Sequence, residues 1–121
     1  MEYRGQEPQV LHGSLHGPGY SGGAALTNRY ILTGDEGFDG DFHVFAVEWD
    51  TDTLTWFVDS TAYHLVTPGN IPDGGRWVFD HPFFIILNVA VGGYFVGSPD
   101  ETTIFPQTML VDWVRVYRSA R

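Results

Sequence analysis

The sequence predicts an all-β fold, an antiparallel β-sandwich or jelly roll made of short strands. Uninterrupted or alternating apolar runs recur, whereas the i, i+3, i+4, i+7 spacing of an amphipathic helix never extends beyond about ten residues. Fifteen glycines and seven prolines are spread over the 121 residues, as expected for short strands joined by tight turns. This length suits one domain, and an apolar fraction of 43% is sufficient for a packed core.

The first half of the sequence contains four short apolar segments that are candidate strands. Residues 10–16 form the first strand, which ends at the Gly17-Pro18-Gly19 turn. Two short apolar stretches follow, at residues 24–26 and 30–32. Residues 41–50 give the clearest strand pattern, with apolar side chains on both faces, which predicts a strand covered on both sides.

The second half predicts an antiparallel meander followed by two long strands. Residues 54–58 and 62–67 are separated by the Asp59-Ser60 turn, as in a hairpin. The nearly unbroken apolar run 83–91 predicts a central buried strand, and residues 108–118 predict the last strand. Loops rich in polar residues, glycine and proline are predicted at 68–76 and 97–106.

The amino-acid composition limits the kinds of molecule that this chain is expected to bind. The formal net charge is -9, so a nucleic-acid backbone or an anionic membrane would be repelled, whereas neutral carbohydrate would not. The absence of cysteine excludes disulfides, thiolate metal sites and a cysteine nucleophile. No apolar run reaches the roughly 18 residues of a membrane span, and the first residues lack the apolar core of a signal peptide, so any export signal is expected outside this chain.

Several common catalytic motifs are missing from the sequence. The five histidines show no HExxH or similarly paired spacing for zinc. The glycine-rich segment 17–23 is followed by neither a predicted helix nor a lysine, which argues against a phosphate-binding loop. Ser21 within it lacks the G-x-S-x-G pattern of a nucleophile elbow, so it is interpreted as a turn residue.

Three groups of motifs nevertheless point to one family when taken in order. They are MEYRG at residues 1–5 with VLHGSLHG at 10–17, then DFH through EWD at 41–50 with WFVD at 56–59, and finally LNVAVGG at 87–93 with VDWVRVY at 111–117. In this order and spacing the chain resembles glycoside hydrolase family 16, in its laminarinase-like endo-β-1,3-glucanase branch. The resemblance covers residues 1–121 and implies the C-terminal part of a single concanavalin-like sandwich domain.

The resemblance implies a catalytic role for Glu2. The family signature is E-x-D-x-x-E, commonly with a methionine before its last glutamate, and Met1 and Glu2 match that end of the motif. Glu2 would then be the general acid/base of a retaining glycosidase, and the nucleophile would precede Met1. The chain is therefore expected to be inactive alone. The alternative is that Glu2 is only a solvated terminal residue.

Other residues are candidates for sugar binding. His12, Ser14 and His16 alternate, so they should share one face of the first predicted strand, and the resemblance places their positions in the sugar cleft. Asn88 matches a family asparagine that contacts sugar, although a core asparagine bonded to neighbouring backbone is the alternative. Trp77, in a predicted loop, is the tryptophan expected to stack on a sugar ring.

The resemblance also bears on metals, partners and location. Many family members hold a structural calcium, for which Asp112 is the matching ligand here, with the other ligands implied in the N-terminal half. No other cofactor is expected. The implied partner is a β-glucan in an extracellular setting. Half a sandwich leaves apolar faces and strand edges open, which predicts homo-oligomers or pairing with the N-terminal half.

Three functional hypotheses remain open from the sequence. The first is part of a retaining endo-β-1,3-glucanase that is inactive by itself. The second is a non-catalytic β-glucan-binding module. The third is a structural half-domain that pairs with itself or with its N-terminal half. Binding of laminarin without release of reducing sugar would favour the second, and tight self-association without binding would favour the third.

Overall fold

The computed structural model describes residues 1–118, and its regular structure is almost entirely β. Six strands form two three-stranded antiparallel sheets, which confirms the predicted all-β class. Short 3-10 turns lie at Gly22–Ala24 and Pro68–Asn70. The strands are β1 Glu2–Tyr3, β2 Val10–Leu15, β3 Leu26–Ile31, β4 Phe45–Asp50, β5 Thr53–Val58 and β6 Thr61–Val66.

The first sheet has the order β1-β2-β3, with β2 at its centre. Leu11 pairs with Tyr30 and Leu15 with Leu26, so β2 and β3 are in continuous register. Because side chains alternate along a strand, Leu11 and Leu15 project to one face of the sheet and the intervening polar residues to the other. Leu11 and Leu15 are 3% and 4% exposed, so their face is the core side.

The second sheet is a meander, β4-β5-β6, with two-residue links between its strands. Asp59, in the second link, has a backbone φ of 55°, a left-handed conformation that aspartate tolerates better than most residues. Its carboxylate accepts hydrogen bonds from the backbone N–H of Val44 at 3.0 Å and from Nδ1 of His43 at 3.1 Å. The hydrogen bond from Val44 is the main reason that the pKa of Asp59 is lowered.

The core lies between the two sheets. One cluster contains Leu15 of the first sheet with Leu54, Trp56 and Val66 of the second, together with the fully buried Tyr20. A second cluster joins Leu11 to Val58 through Phe38. Since both clusters combine residues of the two sheets, the sheets pack face to face as a sandwich.

Polar contacts also connect the two sheets at the centre of β2. His64 of β6 stacks on Trp56 with ring centroids 4.7 Å apart, and its Nδ1 lies 2.8 Å from the carbonyl oxygen of Gly13. Burial lowers the pKa of His64, so the neutral imidazole can donate from Nδ1 to this carbonyl. Tyr63 packs on the same glycine, where a Cβ would lie 2.6 Å from its hydroxyl. Gly13 is therefore required by close packing.

Strand β4 is less covered than its neighbour. Phe45, Val47 and Trp49 lie directly opposite core residues of β5, so they face the same side of the sheet. They are nevertheless 45%, 43% and 44% exposed, whereas their partners Val58 and Trp56 are 0% and 3% exposed. In the described part of the chain, β4 thus carries an apolar strip that is only partly covered.

Two predicted strands are wrong. Residues 83–91 and 108–118 have no strand conformation in the structure, and every residue of both segments is exposed. Apolar patterning creates a strand only when a neighbouring backbone completes its hydrogen bonds, and the described residues offer these segments no ladder partner. The prediction at 41–50 is too long, because β4 starts at Phe45. The separate stretches at 24–26 and 30–32 are joined in one strand, Leu26–Ile31.

The chain divides into two compact units, Met1–Phe84 and Ile85–Arg121. In the second unit, as far as residue 118, an isolated bridge joins Gly93 and Gly97 through two backbone hydrogen bonds of 2.9 and 2.7 Å. The guanidinium of Arg115 lies 4.4 Å from the centroid of the Trp113 ring, a cation–π contact. Over residues 1–118, no helix has the length and apolar character needed to cross a membrane.

The contact between Gly13 and Tyr63 leads to a stability prediction. Among the described residues the buried Tyr63 hydroxyl has no hydrogen-bond partner, and burial raises its pKa to about 12. Because an unsatisfied buried hydroxyl costs about 1–3 kcal/mol, Tyr63→Phe should leave the free energy of unfolding unchanged or raise it. Gly13→Ala should lower it by more than about 1 kcal/mol through overpacking. Urea denaturation of both variants measures this, and a clear loss of stability in Tyr63→Phe would contradict it.

A second prediction concerns pH. The folded-state pKa of His64 lies below its ordinary value of 6.5, so as the pH falls through 6.5 the unfolded chain takes up a proton that the folded chain resists. Stability should therefore fall in the window just below pH 6.5. His64→Asn retains a donor near the position of Nδ1 and removes the titration. Urea midpoints at several pH values should show a shallower slope in this variant, and equal slopes would disprove the assignment.

Candidate active site on the first sheet

Glu2 lies on the face of the first sheet that points away from the core. It pairs directly with His12 across β1 and β2, and Ser14 follows two residues along on the same face. The Ser14 Oγ donates a hydrogen bond to Glu2 Oε2 at 3.2 Å. Thr27 of β3 pairs with Ser14, and its Oγ1 donates to the Ser14 Oγ at 3.0 Å. We call Glu2, His12, Ser14 and Thr27 the polar face.

The loop between β1 and β2 provides a hydrogen-bond partner for His12. This histidine is only 8% exposed, and its Nε2 lies 3.2 Å from Glu7 Oε2. Arg4 Nε donates to the same carboxylate oxygen at 3.0 Å. The hydrogen bonds from Arg4 and then His12 lower the pKa of Glu7, so this carboxylate is ionised at neutral pH. An ionised carboxylate only accepts hydrogen bonds, and therefore the geometry favours a proton on Nε2 of His12.

The local sequence explains how this connection places Glu7. The backbone N–H of Glu7 donates to the carbonyl of Arg4 at 3.0 Å, and Val10 N–H donates to the carbonyl of Glu7 at 2.9 Å. These bonds form two consecutive turns between the strands. The turns bring Arg4 and Glu7, three residues apart, beside the start of β2.

Two residues of this arrangement are absent from the sequence predictions. The contact of Glu7 with His12 depends on the turn that precedes β2, for which the Arg4-x-x-Glu7 charge pair is the available signal. Thr27 reaches the polar face only through the register of β2 and β3, and a single sequence gives no direct signal for that register.

Two further candidates lie elsewhere in the first unit. His16 is exposed and lies one residue beyond the end of β2. Trp77 is partly buried, packs against the core cluster and donates from its indole Nε1–H to the carbonyl of Thr51 at 2.8 Å. Its ring also meets Phe79 edge-on, with centroids 5.2 Å apart. These contacts fix the Trp77 ring, and its sugar-stacking role stays a prediction.

Asn88 and Asp112 belong to the second unit. Both are exposed, and neither lies in a strand. The buried-core alternative for Asn88 therefore does not apply in this structure, whereas its sugar-binding role stays a prediction. For calcium, residues 1–118 contain no group of three or more His, Cys, Asp or Glu side chains arranged to hold a metal ion. The described residues around Asp112 thus do not fit a calcium site by themselves.

The polar face is suited to proton transfer on a hydroxyl-rich ligand. It contains one carboxyl group that receives a hydroxyl hydrogen bond and an imidazole held by a second carboxylate, and both groups can form hydrogen bonds with sugar oxygens. The fold and this sheet face define the chain as an antiparallel β-sandwich protein with a candidate sugar-binding face.

Comparison with known families identifies the particular family. The model of "Glycosyl hydrolases family 16" matches residues 1–115, and the chain belongs to that family. This confirms the resemblance inferred from the motifs.

Individual relatives agree with the family assignment. The chain is 35% identical to "Beta-glucanase" of Rhodothermus marinus, over 98% of this chain and 43% of the relative. It is 36% identical to "Glucan endo-1,3-beta-glucosidase A1" of Niallia circulans, over 98% of this chain and 18% of the relative. The solved endo-beta-1,3-glucanase of Pyrococcus furiosus superposes with a TM-score of 0.80 at 52% identity, covering 86% of this chain and 40% of that structure. The chain thus spans less than half the length of each.

The Glu7–His12 contact gives a prediction about the imidazole. In its neutral form His12 should carry its proton on Nε2, because the Glu7 carboxylate accepts that proton in a hydrogen bond. Long-range proton–nitrogen NMR correlations distinguish the two tautomers. Glu7→Leu should mix them, whereas Glu36→Leu, a change in a loop, should not. A native His12 protonated on Nδ1 would contradict this geometry.

Proposed function

We propose that this chain is the part of a retaining endo-β-1,3-glucanase that supplies the general acid/base, Glu2. The observation that supports the proposal most directly is the position of Glu2. In a chain of glycoside hydrolase family 16, its carboxyl group lies on the polar face beside His12 and accepts a hydrogen bond from Ser14. The names of the relatives in Niallia circulans and Pyrococcus furiosus support the β-1,3-glucan specificity.

The reaction requires a second carboxylate. In the first step a nucleophilic carboxylate on polypeptide outside these 121 residues attacks the anomeric carbon and forms a glycosyl ester. Glu2 gives its proton to the glycosidic oxygen as the bond to the leaving sugar breaks. In the second step the Glu2 carboxylate takes a proton from water, the water oxygen bonds to the anomeric carbon, and the ester bond breaks to release the nucleophile.

The same proposal covers substrate binding and location. A neutral glucan is compatible with a formal net charge of -9. We expect His12, His16, Trp77 and Asn88 to bind the substrate directly. Ser14 stays part of the site, but its hydroxyl donates to Glu2, so we assign it to that carboxyl group and not to direct sugar contact. An extracellular location belongs to the proposal, because a polymeric glucan does not pass through a membrane.

Completion by another polypeptide is also part of the proposal. The apolar strip on β4, formed by Phe45, Val47 and Trp49, is close to half exposed. In the second unit the side chains of Ile86, Leu110 and similar residues are exposed, at 70% and 71% for these two. Exposed apolar surface of this kind favours association. We propose the N-terminal half of the family domain as the partner, and a second copy of the chain as its substitute when that half is absent.

The proposal predicts activity only in the paired state. The purified chain alone should release no reducing sugar from laminarin. When mixed with a polypeptide that corresponds to the N-terminal part of the Pyrococcus furiosus relative, it should gain measurable turnover. Glu2→Gln should abolish this turnover, because the amide cannot give up or take up the required proton. Reducing-sugar assays measure the rate, and light scattering reports whether the chain alone is dimeric.

The controls separate the alternatives. Ser21→Ala, an exposed change in a turn, should leave the turnover of the mixture unchanged. Turnover by the isolated chain that disappears in Glu2→Gln would show that the nucleophile lies within these residues and would overturn the proposal. Saturable laminarin binding by the mixture without turnover would instead favour a glucan-binding module.

A further inference from the structure

The hydroxyl groups of Ser14 and Thr27 form a directed chain that ends on the Glu2 carboxyl group. We propose that Ser14 and Thr27 are positioning residues, which hold Oε2 of Glu2 so that Oε1 is the oxygen that exchanges protons with the substrate. This inference rests on the proposed role of Glu2 as the general acid/base. Neither hydroxyl needs to touch the reacting atoms for this function.

The order of donors and acceptors among these hydroxyl groups follows from their hydrogen bonds. Thr27 Oγ1 donates to the Ser14 Oγ at 3.0 Å, which satisfies a lone pair of Ser14 and leaves the Ser14 hydrogen for Glu2. Ser14 then donates to Glu2 Oε2 at 3.2 Å. Strand register maintains the order, because Ser14 pairs with Thr27 and is two residues from His12, the partner of Glu2.

The hydrogen bonds from Thr27 through Ser14 to Glu2 have a chemical consequence in both catalytic steps. When Glu2 is protonated, an oxygen that accepts from Ser14 serves as the carbonyl oxygen, so the proton resides on Oε1. When Glu2 is ionised, Oε2 remains occupied by Ser14, and Oε1 is the oxygen available to take a proton from water. One oxygen atom therefore performs both transfers, and the carboxyl group need not rotate between the two steps.

The surroundings of these hydroxyls argue against a purely structural role. Glu2 and Thr27 are exposed, and Ser14 is partly exposed. The neighbours of Ser14 on the opposite face of β2 are the buried Leu15 and Gly13, so the core does not depend on the hydroxyl. A hydrogen bond between exposed groups contributes little to folding because water can replace it. Removal of the hydroxyl should thus affect the orientation of Glu2 more than the stability of the sandwich.

The test compares leaving groups in the active mixture of this chain with the N-terminal polypeptide. Phenyl β-laminaribioside needs a proton from the general acid as its bond breaks, whereas dinitrophenyl β-laminaribioside has a far more acidic leaving group and needs little help. Both substrates present the same sugar to the enzyme. A defect in the orientation of the acid therefore lowers kcat/KM for the phenyl substrate alone.

We expect Ser14→Ala to lower kcat/KM about tenfold for the phenyl substrate, the factor that corresponds to one hydrogen bond to an ionisable group. For the dinitrophenyl substrate kcat/KM should change by no more than about twofold, because its acidic leaving group needs little help from the general acid. Thr27→Val should show the same selectivity with a smaller loss. The matched variants Ser14→Thr and Thr27→Ser keep a hydroxyl and should restore most of the phenyl activity. Equal losses on both substrates, or no loss on either, would overturn the inference.

A second measurement on the isolated chain separates this inference from the proposed function. The 13C resonance of the Glu2 carboxyl carbon should shift in Ser14→Ala and remain unchanged in Ser21→Ala. If the resonance shifts but the mixture shows no Glu2-dependent turnover, the hydrogen bonds to Glu2 exist but the proposed function is wrong. The positioning role is then wrong as well, because it requires Glu2 to act as the general acid/base. If turnover depends on Glu2 but the resonance does not respond to Ser14, the positioning chain is wrong and the proposed function stands.

Discussion

The alternation of side chains along β2 is the constraint on which the rest of the molecule depends. Leu11 and Leu15 enter the two core clusters from one face of this strand, while His12 and Ser14 face the other side next to Glu2. A shift of one residue in register would exchange these two sets and would place the polar side chains in the apolar core between the sheets. Gly13 permits the second sheet to approach the centre of the strand, where Tyr63 packs against its backbone. Core packing and the placement of the site are therefore set by the same six residues.

The fold was predictable where strands lie close together in the sequence. The meander of β4, β5 and β6 follows from alternating apolar residues and the two-residue turn at Asp59, both of which are local signals. The failure at residues 83–91 and 108–118 has a different origin. These segments have the composition of buried strands, but a strand needs a neighbouring backbone, and composition gives no information on whether that neighbour is present. Asn88 and Asp112 lie in these segments, so the sequence pattern did not place them correctly in the fold.

The site was predictable in part for a similar reason. Alternation alone grouped His12 with Ser14, and the resemblance of Met1 and Glu2 to the family motif indicated the carboxyl group. The pairing of Glu2 with His12, and the contribution of Thr27, depend on register between strands that a single sequence does not specify. The sequence did not predict Glu7, because the turns after β1 bring it to His12 and no recognised motif marks those turns. Sequence patterns thus identified the members of one strand, and three-dimensional pairing added their neighbours.

The two-residue links of the second sheet have a consequence for the folding of the chain. Every ladder contact in β4–β6 joins residues close in sequence, and Asp59 fixes the turn through its bonds to Val44 and His43. Short loops lose little entropy on closure, so contacts of low sequence separation form fastest. The first sheet needs the longer connection between β2 and β3 and has only a two-residue β1. We therefore expect the meander to form first and the polar face to assemble on it afterwards.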